Sequence, residues 1–240
     1  MLLVFTTLSL HSCHFISSQK SVRVSRNYIT KDYDTGFFQQ INSNLSAKVY
    51  IVQSEEFSVS AYAPDNLLPS LKIFVKGNTL YLKAENSRKS TIQKIGNKHI
   101  TIHISVPDLT NITQNGVGDI TIEDKATFDT LTLRLSGVGD IHCEDLTCKQ
   151  LKVNHFGVGD INLKGKSQSA WYKSNAVGDI NAKKMLVSSL TVKHSGVGDV
   201  ICHAVEELNI NTGGVGDVIY YGNPAIKDIH KGNIGKVKHK

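Results

Sequence analysis

The chain has 240 residues, of which 40% are hydrophobic and 20% are charged, and its formal net charge is +6. This length suffices for one extended domain with its own hydrophobic core. The excess of lysine and arginine is spread along the chain instead of forming one patch interleaved with aromatic residues, which argues against nucleic acid as a partner.

The N-terminal segment is apolar over its first ten residues, which predicts a targeting signal too short to span a bilayer as a helix. The Leu-His-Ser-Cys sequence at residues 10–13 resembles the lipobox of bacterial lipoproteins, in which Cys13 becomes the lipidated N-terminus. His11 is unusual in such a box and a positively charged n-region is missing, so a plain signal peptide with an incidental cysteine is the alternative. We divide this part into a signal over residues 1–13 and a polar tether over residues 14–36.

Residues 37–110 alternate between apolar and polar positions in several short segments, which predicts β-strands. The predicted strands lie at residues 48–53, 57–62, 71–75, 79–83 and 99–106. The third and fourth are joined by Lys-Gly-Asn and form a predicted hairpin. Because the region lacks the repeat that follows it, we expect either irregular early coils or a small β-cap over the open end of the repeats.

One pentapeptide, Gly-Val-Gly-Asp followed by Ile or Val, occurs six times within residues 111–220, once with Ala in place of the first Gly. The copies occupy residues 116–120, 137–141, 157–161, 176–180, 196–200 and 214–218. Their aspartates are 21, 20, 19, 20 and 18 residues apart. A strand-and-turn unit repeated at this interval predicts a solenoid, in which each unit buries its apolar face on its neighbours.

The positions on both sides of each turn alternate in polarity. The residue after Asp is always Ile or Val, the next is mostly polar, and the third is apolar again. A period of two is typical of a strand with one buried face. We therefore predict an all-β fold, a right-handed parallel β-helix with about 20 residues per coil. Variable connectors such as residues 164–169 would join the strands, and residues 221–240 would cap the C-terminal end.

The turn predicts a tight corner, because two glycines flank one valine. The second glycine is present in all six copies, whereas Ala176 replaces the first glycine in one of them. Only the second glycine is therefore expected to need a positive φ angle. We expect the valines to fill the corner from the inside.

Cysteine and histidine positions within the repeats argue against shared sites. Cys143 and Cys202 occupy one inward position three coils apart, about 14 Å, which exceeds the roughly 7 Å Cα separation of a disulfide. They are predicted to be buried free thiols, and Cys148 is placed in a connector. His155 and His194 share another position two coils apart, about 10 Å, which is too far for one metal ion.

The whole layout resembles the auto-transporter adhesin head GIN domain family, from about Phe37 to the C-terminal tail. The resemblance rests on the Asp-Asn-Leu-Leu-Pro segment at residues 65–69, the strand at 99–106 with the Pro-Asp-Leu after it, and all six turns. The family consists mostly of secreted or lipid-anchored proteins of Bacteroidetes. The resemblance implies a β-helical fold and a location in the cell envelope, as an outer-membrane or periplasmic lipoprotein that could be surface exposed. It implies no catalytic residues.

The aspartates of the turns form a ladder with two alternative roles. Its members are Asp119, Asp140, Asp160, Asp179, Asp199 and Asp217. Stacked carboxylates repel one another by about 1 kcal/mol per neighbour in water, and Asn could form the same turn. One explanation is a bound cation such as Ca²⁺ shared between coils. The other is that each Asp accepts hydrogen bonds from nearby backbone N–H groups, in which case no cofactor is needed.

The outward side of the strand before each turn carries the candidate ligand surface, Lys152, Trp171, Lys173 and Lys193. A Trp beside lysines could stack on a sugar ring or hold an acidic glycan. We therefore predict a non-enzymatic binding module of the envelope, anchored to the membrane by lipid, that binds a glycan or a surface protein. The alternatives are a polysaccharide lyase or hydrolase on the same scaffold, and a purely structural envelope protein.

Overall fold

The computed structural model describes residues 24–85 and 99–240. Within these ranges the chain forms sixteen β-strands and one short 3-10 helix, Leu68–Ser70. The strands are β1 (Tyr28–Asp32), β2 (Gln40–Ser43), β3 (Lys48–Gln53), β4 (Ser58–Pro64), β5 (Leu71–Lys76), β6 (Thr79–Ala84), β7 (Thr101–Val106), β8 (Asn111–Gln114), β9 (Ile120–Leu135), β10 (Ile141–His155), β11 (Ile161–Ser174), β12 (Ile180–His194), β13 (Val200–Thr212), β14 (Val218–Tyr221), β15 (Ile226–Lys231) and β16 (Val237–His239). No helix in the two described ranges is long and apolar enough to cross a membrane.

The repeats form one stack of parallel coils. Strands β9 to β13 each pair in parallel with the next, and equivalent residues lie side by side, as Ile120, Ile141 and Ile161 do. The valines of successive turns also form parallel bridges. The predicted β-solenoid with coils of about 20 residues is therefore confirmed.

Each coil has three sides, because the long strands bend at two points. In β10 the buried inward side chains of the three sides are Ile141 and Cys143, then Leu146 and Cys148, then Leu151, Val153 and His155. Residues 164–169 were predicted as a connector, but Gly165 pairs with Leu146 as part of β11. The alternation of inward and outward side chains is interrupted at each bend and then starts again. In the sequence, this interruption looks the same as a loop between two strands. Cys148 is accordingly buried in a strand, which corrects its placement in a connector.

The interior consists of stacked apolar side chains contributed by every coil. The Ile or Val after each Asp is at most 1% exposed in all six copies. Burial of such a side chain contributes about 1.5–3 kcal/mol. Because each coil covers the apolar side chains of the next, stability depends on contacts between neighbouring coils.

Residues 37–110 contain both structures that the sequence left open. Strands β2 and β3 form a coil equivalent to the repeats, because Ile41 pairs with Ile112 and Val49 pairs with Ile120. Strands β6 and β7 stack on the far side of that coil. Antiparallel strands β5, β4 and β1 then cover this end, and β5 with β6 is the predicted hairpin. The predicted tether is therefore wrong at Tyr28–Asp32, because this segment is β1 and occupies the free edge of β4.

The C-terminal residues extend the stack by one more coil. Strand β15 pairs with β13, and β16 pairs with β14. Residues 233–237 take the place of a seventh turn, with Lys236 where the others have Asp. Lys227 and Lys231 pair with the buried Leu208 and Thr212, so lysines occupy inward positions of this final coil and remain exposed.

Candidate binding surface

The second glycine of each turn fixes the shape of the corner. All six have φ between +121° and +133°, a region that favours glycine. At Gly159 an added Cβ would lie 2.2 Å from the carbonyl oxygen of Gly139 in the preceding coil. The first glycines are not among the residues with positive φ, as the Ala176 replacement predicted.

The valines of the turns point outward, contrary to the expectation that they fill the corner. Their side chains are 45–54% exposed and form a continuous line, which we call the valine ridge: Val117, Val138, Val158, Val177, Val197 and Val215. The interior behind the turn is occupied by the residue five before Asp, such as His155, Ser174 or His194. Within the turn, the inward and outward directions of the side chains no longer follow the alternation of the flanking strands. The direction of the valines could therefore not be predicted from that alternation.

The aspartate ladder is held by hydrogen bonds between neighbouring coils. In each copy the Oδ1 atom accepts a hydrogen bond from the backbone N–H at the same position of the next coil, at 2.7–3.1 Å. These are the hydrogen bonds that the second of the two roles requires. A carboxylate acceptor forms a stronger bond than a neutral amide would, which offsets repulsion along the ladder. Among the described residues, no group of three or more His, Cys, Asp or Glu side chains is arranged to hold a metal ion.

Lysines flank the ladder at both ends. Val49 pairs with Ile120, which directly follows Asp119. Lys48, the residue before Val49, therefore occupies the Asp position in the coil that precedes the ladder. Lys236 donates its backbone N–H to Asp217 at 3.1 Å, and the Lys238 ammonium pairs with the same carboxylate. The hydrogen bond from Lys238 lowers the pKa of Asp217 below its usual value, and the Lys236 backbone adds to this effect. Cations therefore bracket the row of six carboxylates.

Two histidines lie inside the solenoid, behind the turns. His155 and His194 are at most 1% exposed, and their ring nitrogens have no partner of good hydrogen-bond geometry among the described residues. Burial lowers the pKa of both imidazoles, because the charged form would lose its hydration. Ser174 lies between them in register, so they do not form a pair.

The cysteines of the repeats are buried free thiols, as predicted for Cys143 and Cys202. Burial raises the pKa of Cys148 to about 11 and that of Cys202 to about 12. The pKa of Cys143 is raised further, for the same reason. Thiols in this state are poor nucleophiles and metal ligands. Cys13, the predicted lipidation site, lies outside the described residues.

The four residues of the predicted ligand surface come together on one side of the solenoid. We call this side the pre-turn face, the outward side of residues 130–135, 150–155, 169–174 and 189–194. Lys152 pairs with Trp171 in register, and its Nζ lies 4.9 Å from the ring centroid. Lys173 pairs with Lys193 in the adjacent outward column.

Two further residues complete this surface, and the sequence reasoning missed both. The guanidinium of Arg134 lies 4.7 Å from the centroid of the Phe156 ring, and the Lys173 ammonium lies 5.4 Å from the same ring. Arg134 stands six residues before its Asp, as Lys173 and Lys193 do. The repeat alignment could therefore have identified Arg134, whereas Phe156 aligns with small polar residues and carried no signal.

The cations of the pre-turn face have no carboxylate partners. Within the described residues, no Asp or Glu lies within 4.0 Å of the charged groups of Arg134, Lys152, Lys173 or Lys193. Some lysines elsewhere on the outside of the solenoid are paired, such as Lys149 with Asp129 at 2.9 Å. The pre-turn face therefore presents unneutralised positive charge beside two aromatic rings.

Solved structures with the same architecture include three from Bacteroidetes. A "putative adhesin" from Bacteroides fragilis is 34% identical, with a TM-score of 0.86, over 91% of this chain and 100% of that one. A "putative adhesin" and a "putative lipid binding protein", both from Parabacteroides distasonis, are each 20% identical. Their TM-scores are 0.68 and 0.62, over 89% and 90% of this chain and 97% and 98% of theirs. At that identity the likeness shows the fold alone.

Sequence comparison gives the family directly. No curated protein sequence matches the chain. A family model matches residues 37–224, which contain all six turns and both early coils. The match spans well over half of the chain and agrees with the similarity to the Bacteroides fragilis structure. The resemblance stated from the turns is therefore confirmed, and the chain belongs to the family described as "Putative auto-transporter adhesin, head GIN domain".

Proposed function

We propose that this chain is a non-enzymatic binding module of the bacterial cell envelope, an adhesin whose pre-turn face holds an acidic glycan or another anionic envelope polymer. The observation that carries the proposal is the group of four cations without carboxylate partners, interleaved with Trp171 and Phe156. Cations attract carboxylate or sulfate groups, and aromatic rings pack on the apolar faces of sugars. The adhesin descriptions of the family and of the similar Bacteroides fragilis protein support the same general role.

A polysaccharide lyase or hydrolase is the alternative on this scaffold. Glycoside hydrolysis requires two carboxylates that flank the scissile bond. The carboxylates of the ladder are separated from the pre-turn face by the valine ridge, and each commits one oxygen to a backbone N–H. This separation of acidic and basic groups supports binding without catalysis.

The binding proposal is tested with the full chain carrying Cys13→Ser, using immobilised polygalacturonate and neutral dextran. The variant Lys152→Ala, Trp171→Ala, Lys173→Ala, Lys193→Ala should lose about tenfold or more in affinity for the acidic polymer, since each removed contact is worth about 0.5–1 kcal/mol. A charge-matched control is Lys149→Ala, Lys166→Ala, Lys184→Ala, on another side of the coil. Equal loss in both variants, or preference for neutral dextran, would contradict an acidic ligand at this face.

We further propose that Cys13 carries a lipid that anchors the domain to an envelope membrane. The motivation is the apolar segment and the small residue before Cys13. Cys13→Ala should move the protein from the membrane fraction to the soluble fraction of the cell, while Cys202→Ala should not. If Cys13→Ala stays with the membrane, the plain signal peptide becomes the better interpretation.

A further inference from the structure

A shallow groove runs along the solenoid between the pre-turn face and the valine ridge, and we call it the edge groove. Its central part opens about 550 Å³ across four coils, at residues 136–138, 156–158, 175–177 and 195–197. A second part of about 660 Å³ lies beside residues 44–46 and 115–117. The two parts are continuous in register, because Val117 pairs with Val138.

The two walls of the edge groove differ in chemistry. One wall is the valine ridge, with side chains about half exposed. The other wall is polar and consists of Asn44, Asn115, Ser136, Asn175 and Ser195, interrupted by Phe156. The floor is formed by the first residues of the turns, such as Gly137 and Ala176. An occupant therefore meets an apolar surface on one side and hydroxyl and amide groups on the other.

Two cation–aromatic groups border the polar wall. Near the N-terminal end, the Lys83 ammonium lies 4.5 Å from the centroid of the Tyr81 ring and 5.8 Å from that of Phe74. In the centre, Phe156 lies between Arg134 and Lys173. The path from Lys83 to Phe156 crosses four coil steps, or about 19 Å.

The backbone groups of the valine ridge are already hydrogen-bonded. Each valine N–H donates to the first residue of the preceding turn, as Val158 does to Gly137 at 3.0 Å. The valine carbonyls accept from second glycines, as Val158 does from Gly139 at 2.9 Å, except that Val117 accepts from Ala47. A bound peptide strand would find no free main-chain partner on the valine ridge, so recognition along that wall has to come from side chains. A hydrocarbon chain would leave the amides and cations of the polar wall unused.

From these walls and charges we infer that the edge groove binds an extended anionic polysaccharide that lies parallel to the solenoid axis and contacts both cation–aromatic groups. This inference rests on the proposed function and adds the ligand's shape and orientation. Sugar rings have apolar faces that suit the valine ridge and hydroxyl edges that suit the amide wall. Their carboxylate or sulfate groups meet Lys83, Arg134 and Lys173. Because each coil contributes similar contacts, affinity grows with the number of sugars until both groups are reached.

The test uses the full chain with Cys13→Ser and galacturonate oligomers as probes, a dimer, a tetramer and an octamer. The dimer is too short to span the distance between Lys83 and Phe156, the tetramer is comparable with it, and the octamer exceeds it. Its affinity for the wild-type sequence should exceed that of the dimer by about 100-fold, as expected when linked contacts act together. Neutral malto-octaose should bind at least about tenfold more weakly than the galacturonate octamer, because it lacks the charged groups.

A groove variant and a matched control locate the bound chain. Val158→Asp with Val177→Asp places carboxylates on the valine ridge, and should reduce the octamer's affinity to that of the dimer. The control, Leu186→Asp with Val205→Asp, changes two equally exposed apolar residues at another corner and should keep the full length dependence. Thermal melting of both variants establishes that they are folded.

The outcomes separate this inference from the proposed function. Affinity that does not depend on length, or an octamer unaffected by the groove variant, overturns the lengthwise orientation while the pre-turn face can still bind glycans. Binding to neutral polymers alone, or to phosphatidylglycerol vesicles in place of the oligomers, overturns an anionic polysaccharide as the occupant. Loss of all glycan binding by the wild type overturns both.

Discussion

At the scale of single residues, the column five positions before each Asp is unusual, because it places polar side chains inside the solenoid. It contains His155, Ser174, His194 and Thr212, all at most 3% exposed. Leu135 occupies the same column one coil before His155. An apolar residue is therefore compatible with this position, and the buried polar groups carry a cost of desolvation.

The histidines of this column should make the protein sensitive to acid. Burial lowers their pKa in the folded state, so the unfolded chain binds more protons once the pH falls below the ordinary histidine pKa of about 6.5. Above that pH both histidines are neutral in either state, and the free energy of unfolding does not depend on their titration. As the pH falls below it, the free energy of unfolding decreases by at most about 1.4 kcal/mol per pH unit for each histidine. The variant His155→Leu, His194→Leu should therefore gain stability over the wild type progressively from pH 7 to pH 5.

Denaturant unfolding at several pH values measures this effect. The exposed His103→Leu serves as the control and should keep the wild-type pH dependence. Parallel stability curves for the wild type and the buried double variant would show that these two side chains do not control the acid response.

At the scale of the elements, the geometry of the turn explains why each repeat contains two glycines, which have different structural roles. The second glycine supplies the positive φ, and the first permits close approach of the next coil. Ala176 shows the effect of a Cβ at the first position. The Val177 N–H lies 3.2 Å from the Gly157 oxygen, whereas the equivalent distances in the other coils are 2.8–3.0 Å. The corner accommodates one methyl group by a small displacement.

Replacing the first or the second glycine by Ala should therefore lower the free energy of unfolding by different amounts. Gly157→Ala should lower the free energy of unfolding by about 1 kcal/mol, because it repeats the displacement seen at Ala176. Gly159→Ala should lower it by about 3 kcal/mol or more, because an added Cβ lies 2.2 Å from a backbone oxygen at both glycines and only Gly159 adds strain at a φ of +129°. Thermal melting of the two variants side by side measures the difference, and equal losses would mean that φ is not the deciding factor.

The aspartate ladder also belongs to this scale, since it joins each turn to the next. Asp160→Ala with Asp179→Ala removes two acceptors of backbone N–H groups, at a cost of about 1–3 kcal/mol for each group left unsatisfied. The corresponding Asn variant keeps an acceptor oxygen and should melt close to the wild type. A rise in melting temperature with calcium that the Asn variant lacks would instead identify the ladder as a cation site.

At the scale of the whole molecule, a solenoid must end without exposing an apolar layer to another copy. Antiparallel strands cover the N-terminal end, and the last coil places Lys227 and Lys231 where inner coils have Leu208 and Thr212. Charged side chains at inward positions are an established protection against edge-to-edge association. We therefore expect the charge of this coil to oppose end-to-end association.

Replacement of these lysines should create an association surface. Lys227→Leu with Lys231→Leu should produce end-to-end oligomers whose population rises with concentration in sedimentation velocity experiments. Lys149→Leu with Lys166→Leu makes the same chemical change on the outside of the coil and should remain in the wild-type state of association. Identical behaviour of the two variants would argue that other features of the C-terminal coil protect the end.

The repeat spacing and the alternation around Asp by themselves determined the parallel solenoid, its coil length, the buried Ile column and the free thiols of Cys143 and Cys202, because each of these depends on local periodicity. The outward direction of the valines, the strand character of residues 164–169, the inclusion of Tyr28–Asp32 in the cap and the placement of Phe156 between two cations were decided only by the tertiary structure. These features depend on turns and bends that reset the inward direction, and on contacts between coils about twenty residues apart, which a period of two does not encode.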